Sequence, residues 1–132
     1  MQTIDIEYIN PKKGSKVLDL GCGQGRHCFG AYMYADVDVF GFDMSQDDVL
    51  KAKKNFKDFD EDSLEKSCVF GVTDARKLPF RDSSFDYVIC SEVLEHIIEF
   101  EEVIEEINRI LKPGGIFSCL LYTSPSPRDK HR

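Results

Sequence analysis

Residues Val17–Gly25 read VLDLGCGQG. The run opens on apolar Val17 and Leu18, carries an acid at Asp19, and closes on glycines at 21, 23 and 25. A buried strand that ends in a glycine turn and feeds a helix brings backbone groups close to a ligand at the strand end. Glycine suits such a turn because a Cβ would block the approach or forbid a positive φ. The turn points to a nucleotide-like ligand, and its spacing narrows which one. A dinucleotide fingerprint, GxGxxG, needs its third glycine at position 26 or 28, where the chain has Arg26 and Cys28.

Outward from the turn, apolar runs alternate with helical patterns. Lys16–Leu20 reads as a short buried strand, followed by a helix from Gln24 to about Met33. Val37–Phe42 reads as a second strand ending at Asp43. Ser45 caps a helix that carries Asp47 and Asp48 in its first turn and runs to about Phe56. A charged loop then leads to strands at Cys68–Val72 and Phe85–Cys90. Glu101–Leu111 sets Val103, Ile104, Ile107, Ile110 and Leu111 at helical spacing and is expected to stop at Pro113-Gly114-Gly115. Ile116–Ser118 begins a fifth strand. Strands separated by helices imply βαβ units and a parallel sheet.

The 132 residues suit one small domain. A net charge of −7 argues against a surface that coats nucleic acid, which needs basic patches. No apolar run approaches the ~18–20 residues of a transmembrane helix. The N-terminal MQTIDIEYIN lacks a basic start followed by an apolar run, so it does not read as a signal peptide. The five cysteines, at 22, 28, 68, 90 and 119, form no CxxC pair; Cys68 and Cys90 sit inside apolar strand runs and read as reduced core residues of a cytoplasmic protein.

Two further acids close strands. Asp43 lies 18 residues past Gly25, where a carboxylate accepts hydrogen bonds from ribose hydroxyls; capping the next helix is its other reading. Asp74 follows the third strand. In SEVLEHI, Ser91–Ile97, Glu92, Glu95 and His96 fall at i, i+3 and i+4 and share one helical face, an arrangement suited to a divalent metal. His96 also reads as a general base or as a structural group.

The pattern of apolar pair, Asp, apolar residue and GxGxG resembles motif I of the class I S-adenosylmethionine (SAM) dependent methyltransferases. LPFRDSSFDYV (Leu78–Val88) and LKPGG (Leu111–Gly115) are similar to blocks of the type 11 subgroup. The resemblance implies an α/β, three-layer Rossmann-like fold whose parallel sheet runs 3-2-1-4-5. It implies SAM as cofactor and a small-molecule acceptor methylated at O, N or C. By position, Asp19, Gly21, Cys22 and Gly23 would line the methionine half, mostly through backbone. Asp43 would bind the ribose, Met44 would cover the adenine face, and Asp74 and Ala75 would hold the adenine edge. Cys90 and Ser91 would lie near the methionine amino group and the transferred methyl, and His27 would approach the carboxylate end. Glu92, Glu95 and His96 resemble the metal motif of small-RNA 2′-O-methyltransferases and of a ubiquinone-pathway family, although a metal is not expected. A Rossmann-type NAD-dependent oxidoreductase and a SAM-binding fragment without catalysis are the competing readings.

The expected organisation is a SAM-binding core over residues 1–118 and a tail over 119–132. Cys119–Asp129, CLLYTSPSPRD, resembles the conceptual translation of a sequencing adapter; a natural Ser/Pro-rich tail is the alternative. On the first reading the core is truncated, and the last two strands of the resembled fold are missing.

Overall fold

The computed structural model describes residues 11–34, 36–59, 67–91 and 100–120. Its elements follow in the order β1 (Lys16–Leu20), α1 (Arg26–Tyr34), β2 (Asp38–Asp43), α2 (Gln46–Phe59), β3 (Cys68–Val72), β4 (Phe85–Ser91), α3 (Phe100–Ile110) and β5 (Leu111–Leu120). The five strands are all parallel and lie in the order β3-β2-β1-β4-β5, as the resemblance implied.

The strands read as nearly continuous apolar runs because the sheet is covered on both faces. On one face Val17, Val39 and Ile89 pack with Cys28, Ala31 and Tyr32 of α1 and with Val49 and Ala52 of α2. On the other, Leu18, Leu20 and Val88 pack against Val103, Ile107 and Ile110 of α3. The alternation of neighbouring residues between faces follows from the two-residue period of a strand. The spacing of 103, 107 and 110 puts one stripe of α3 on the sheet. The result is three layers.

The LPF block forms the connection between β3 and β4. Arg109 of α3 reaches across to it, donating to the carbonyls of Phe80 at 2.7 Å and Leu78 at 3.0 Å, and to Asp82 at 2.9 Å. Glu106 accepts the Leu78 amide at 2.7 Å and pairs with Arg109 at 2.7 Å. The guanidinium holds the Glu106 carboxyl below the usual carboxylate range. One helix thus fixes the loop that leads from Asp74 back into the sheet.

Several boundaries differ from expectation. Helix α1 begins at Arg26 because the glycine turn extends through Gly25. Helix α2 continues to Phe59 and not only to Phe56. Ser45 caps it as expected, its hydroxyl accepting the Asp48 amide at 3.2 Å. The largest difference is at LKPGG. Helix α3 stops at Ile110, and Leu111 already pairs with Phe85. Pairing resumes between Tyr87 and Ile116, so residues 112–115 form a bulge within β5 and not a loop before it. Strand β5 also continues two residues beyond Ser118, with Cys119 opposite Cys90 and Leu120 opposite Ser91. No helix among the described residues is long and apolar enough to cross a membrane.

Candidate active site

In a parallel sheet every strand ends on the same edge. The order reverses between β1 and β4, and open α/β sheets bind ligands in the crevice at that reversal. The glycine turn leaves β1 there. Asp43, Asp74, Cys90 and Ser91 follow or close the neighbouring strands, so sheet topology brings together residues 19 to 91. From β3 to β4 the edge spans about 14 Å at ordinary strand spacing.

The turn is tied to the end of β2. Gly21, Gly23 and Gly25 all have positive φ, at 82°, 55° and 95°. Phe42 O accepts the amides of Gly21 at 2.7 Å and Cys22 at 3.2 Å. The Gly25 amide donates to Cys22 O at 3.0 Å, and that of Gly23 donates to Asp43 Oδ2 at 2.8 Å. These four amides are therefore used inside the protein, and the turn does not offer them bare to a ligand. The glycines permit the left-handed backbone and leave space instead: a Cβ on Gly23 would meet nothing within 4 Å.

Asp43 is the knot of the site. Its second oxygen accepts the Ser45 amide at 2.8 Å, and its carbonyl accepts the Thr73 amide at 3.0 Å. It joins the glycine turn, the start of α2 and the exit of β3. A carboxylate offers about four acceptor positions, so two remain for a ligand after these side-chain bonds. The helix-capping reading belongs to Ser45. Met44, next along, is 62% exposed, which leaves its apolar side chain free to cover a flat ring.

Asp19 stands in the opposite environment. It is fully buried, its Oδ2 accepts the Cys28 thiol at 3.4 Å, and its Oδ1 has no partner among the described residues. Burial, followed by a smaller contribution from the Asp43 charge, pushes its carboxyl up to about 7, against the lowering effect of the Cys28 hydrogen bond. An unpaired buried acceptor costs free energy unless a proton or a ligand donor completes it.

Asp74 is half-exposed and clasped by Arg76, with a 2.7 Å ion pair and a 2.9 Å bond from the Arg76 amide. These contacts hold its carboxyl down at about 2. Ala75 is buried under the loop. The Cys90 side chain is also buried, so only its backbone can face a ligand, and the Cys22 thiol bonds Gly23 O at 3.5 Å. An open groove of about 880 Å³ lies farther along, between residues 76–81 and α3, and meets this set only at Asp74. Glu92, Glu95 and His96 lie outside the described residues, as do the side chains of Ser91 and His27. Among the described residues no three metal-ligating side chains converge.

A family model described as a methyltransferase domain matches residues 11–126. The chain belongs to the methyltransferase-domain family. This methyltransferase domain is 34% identical over 123 residues to a demethylmenaquinone methyltransferase of Staphylococcus saprophyticus, covering 92% of the chain and 50% of that protein. It is 35% identical over 118 residues to a 27-O-demethylrifamycin SV methyltransferase of Amycolatopsis mediterranei, covering 87% and 42%. The crystal structure of a SAM-dependent methyltransferase from Methanosarcina mazei superposes with a TM-score of 0.77 at 25% identity, covering 90% of the chain and 57% of that structure. The chain spans half or less of the length of these two curated relatives. Between the two enzyme classes the glycine turn left open, these findings favour the methyltransferases over the dinucleotide oxidoreductases.

Two groups were missed in the sequence. Neither Cys28 nor Gly41 was singled out. Both act through contacts with Asp19 made across the fold, for which no local pattern exists.

Proposed function

We propose that this chain binds SAM along the edge from Asp74 to Cys90 and serves methyl transfer to a small-molecule acceptor. The observation that carries the reading is the pair of acids at the switch point. Buried Asp19 has an acceptor oxygen with no partner among the described residues, and Asp43 retains acceptor capacity beside a glycine turn with open space at Gly23. That donor-poor, acceptor-rich set fits a ligand with one cationic and one hydroxylated end.

In this assignment Asp19 faces the ammonium of the methionine half, with the backbone of Gly21, Cys22 and Gly23 beside it. Asp43 accepts from the ribose hydroxyls, Met44 covers the adenine face, and Asp74 and Ala75 hold its edge. The backbone at Cys90 and Ser91 borders the transferred methyl. When bound, SAM supplies a methyl on positively charged sulfur, open to in-line displacement by an O, N or C nucleophile. The leaving group is a neutral thioether, so the protein's main tasks are alignment and exclusion of water. His96 is assigned no more than deprotonation of an acceptor of high pKa. The relatives named for demethylmenaquinone and demethylrifamycin support small organic acceptors. A soluble cytoplasmic location fits this chemistry, and no divalent metal is assigned to Glu92, Glu95 and His96.

Calorimetry with SAM, S-adenosylhomocysteine and NAD tests the reading. Binding of the first two and not the third is expected. Absence of binding by both adenosyl ligands at millimolar concentration overturns it.

A further inference from the structure

We propose that Cys28 is a positioning residue whose thiol holds Asp19 in one orientation and sets the pH at which that carboxylate becomes charged; its link to SAM rests on the reading above.

Asp19 of β1 lies directly opposite Gly41 of β2 in the sheet. A Cβ on Gly41 would come within 2.6 Å of Cys28 Sγ. The sulfur therefore occupies space that the missing side chain leaves, over the strand next to Asp19. From there it donates to Asp19 Oδ2 at 3.4 Å. The other oxygen, Oδ1, is left without a partner among the described residues. The carboxylate is held at one end, and its other oxygen is buried and unpaired among the described residues.

The groups that bear on Asp19 come from neighbouring elements. Cys28 of α1 lowers its pKa by hydrogen bonding, and Asp43 of β2 raises it. The adjacent Cys22 of the glycine turn, burial and the neighbouring Asp19 charge all push the Cys28 thiol up, with Cys68 of β3 adding to the effect. The thiol therefore keeps its proton through neutral pH and remains a donor over the range in which Asp19 titrates. A proton and a ligand cation compete for the same buried carboxylate, so the donor that stabilises its charged form favours the ligand.

The experiment compares wild-type protein with Cys28→Ser, which keeps a donor, and Cys28→Ala, which does not. The Asp19 carboxyl is titrated by carbon-13 NMR without ligand, and S-adenosylhomocysteine affinity is measured from pH 6 to 9. In Cys28→Ala the Asp19 midpoint is expected to rise by about one pH unit, the size of one lost hydrogen bond to a carboxylate. Affinity is then expected to fall about fivefold at pH 7 and to recover by pH 9. Cys28→Ser is expected to track wild type. Equal midpoints in Cys28→Ala and wild type overturn the proposal, as does an equal shift in both variants, which would indicate packing alone. If the midpoints move as expected but no form binds the ligand at any pH, the role of Cys28 stands and the SAM assignment falls.

Discussion

Replacing Asp43 with Asn tests the centre of the site with little change in shape. The carboxylate accepts one amide at each oxygen, from Gly23 and from Ser45, both at 2.8 Å. An Asn side chain has one acceptor oxygen and one NH2, so one of the two backbone amides must face a donor. Hydrogen bonds to charged groups contribute about 1.5–3 kcal/mol each, and water reaches this half-buried position, so a stability loss of about 1–2 kcal/mol is expected. The same change removes a charged acceptor from the ribose hydroxyls. Losing about 1.5–3 kcal/mol of ligand binding corresponds to roughly a 10–100-fold weaker affinity. Urea denaturation measures the first quantity and calorimetry with S-adenosylhomocysteine the second. A folded Asp43→Asn protein that binds within twofold of wild type refutes the ribose assignment. One with unchanged stability refutes the role of Asp43 in holding the turn to α2.

Asp19 gives the ligand-free protein an unusual pH dependence. Its carboxyl rises from the ordinary 3.8 in the unfolded chain to about 7 in the fold, so its favourable contribution is whole below pH 3.8 and is lost as pH climbs toward 7. The unfolding free energy from urea titrations is expected to fall between pH 5 and 7, by at most ~1.4 kcal/mol per pH unit, and Asp19→Asn is expected to flatten that slope. Arg109→Ala leaves the Leu78 and Phe80 carbonyls and Glu106 without their cation; a loss of about 2–3 kcal/mol by chemical denaturation is expected. Gly25→Ala forces a residue with φ of 95° to carry a Cβ within 3.1 Å of the Phe29 ring, and a loss of about 1–3 kcal/mol in thermal unfolding is expected. Asp74→Asn breaks an exposed ion pair, so its stability change should stay under about 1 kcal/mol, while SAM affinity measured by calorimetry drops severalfold.

Much of the fold was legible because its signals are local. Cys68–Val72 was read with its observed ends, and Val103, Ile107 and Ile110 of α3 were all assigned to the apolar face that packs on the sheet. At LKPGG the helix stop was legible and the strand pairing was not. Proline and glycine mark a break in helix α3, but only pairing with Phe85 and Tyr87 makes the segment a bulge in a strand. The candidate site was legible as a set of positions: glycines at alternating places and acids that close strands. The partners of those residues were not. Arg76 is two residues from Asp74, yet nothing in their spacing says that they pair.

Residue types along the chain determined which segments form strands, which form helices, and which acids stand at the strand ends. Only tertiary structure decided what state those acids occupy. Asp19 and Asp43 have the same side chain. One is buried beside a thiol and holds its proton to about pH 7, while the other binds two backbone amides at the edge of the sheet. The difference comes from desolvation and hydrogen bonding, which depend on neighbours brought together by strand pairing and helix packing, and not on order along the chain.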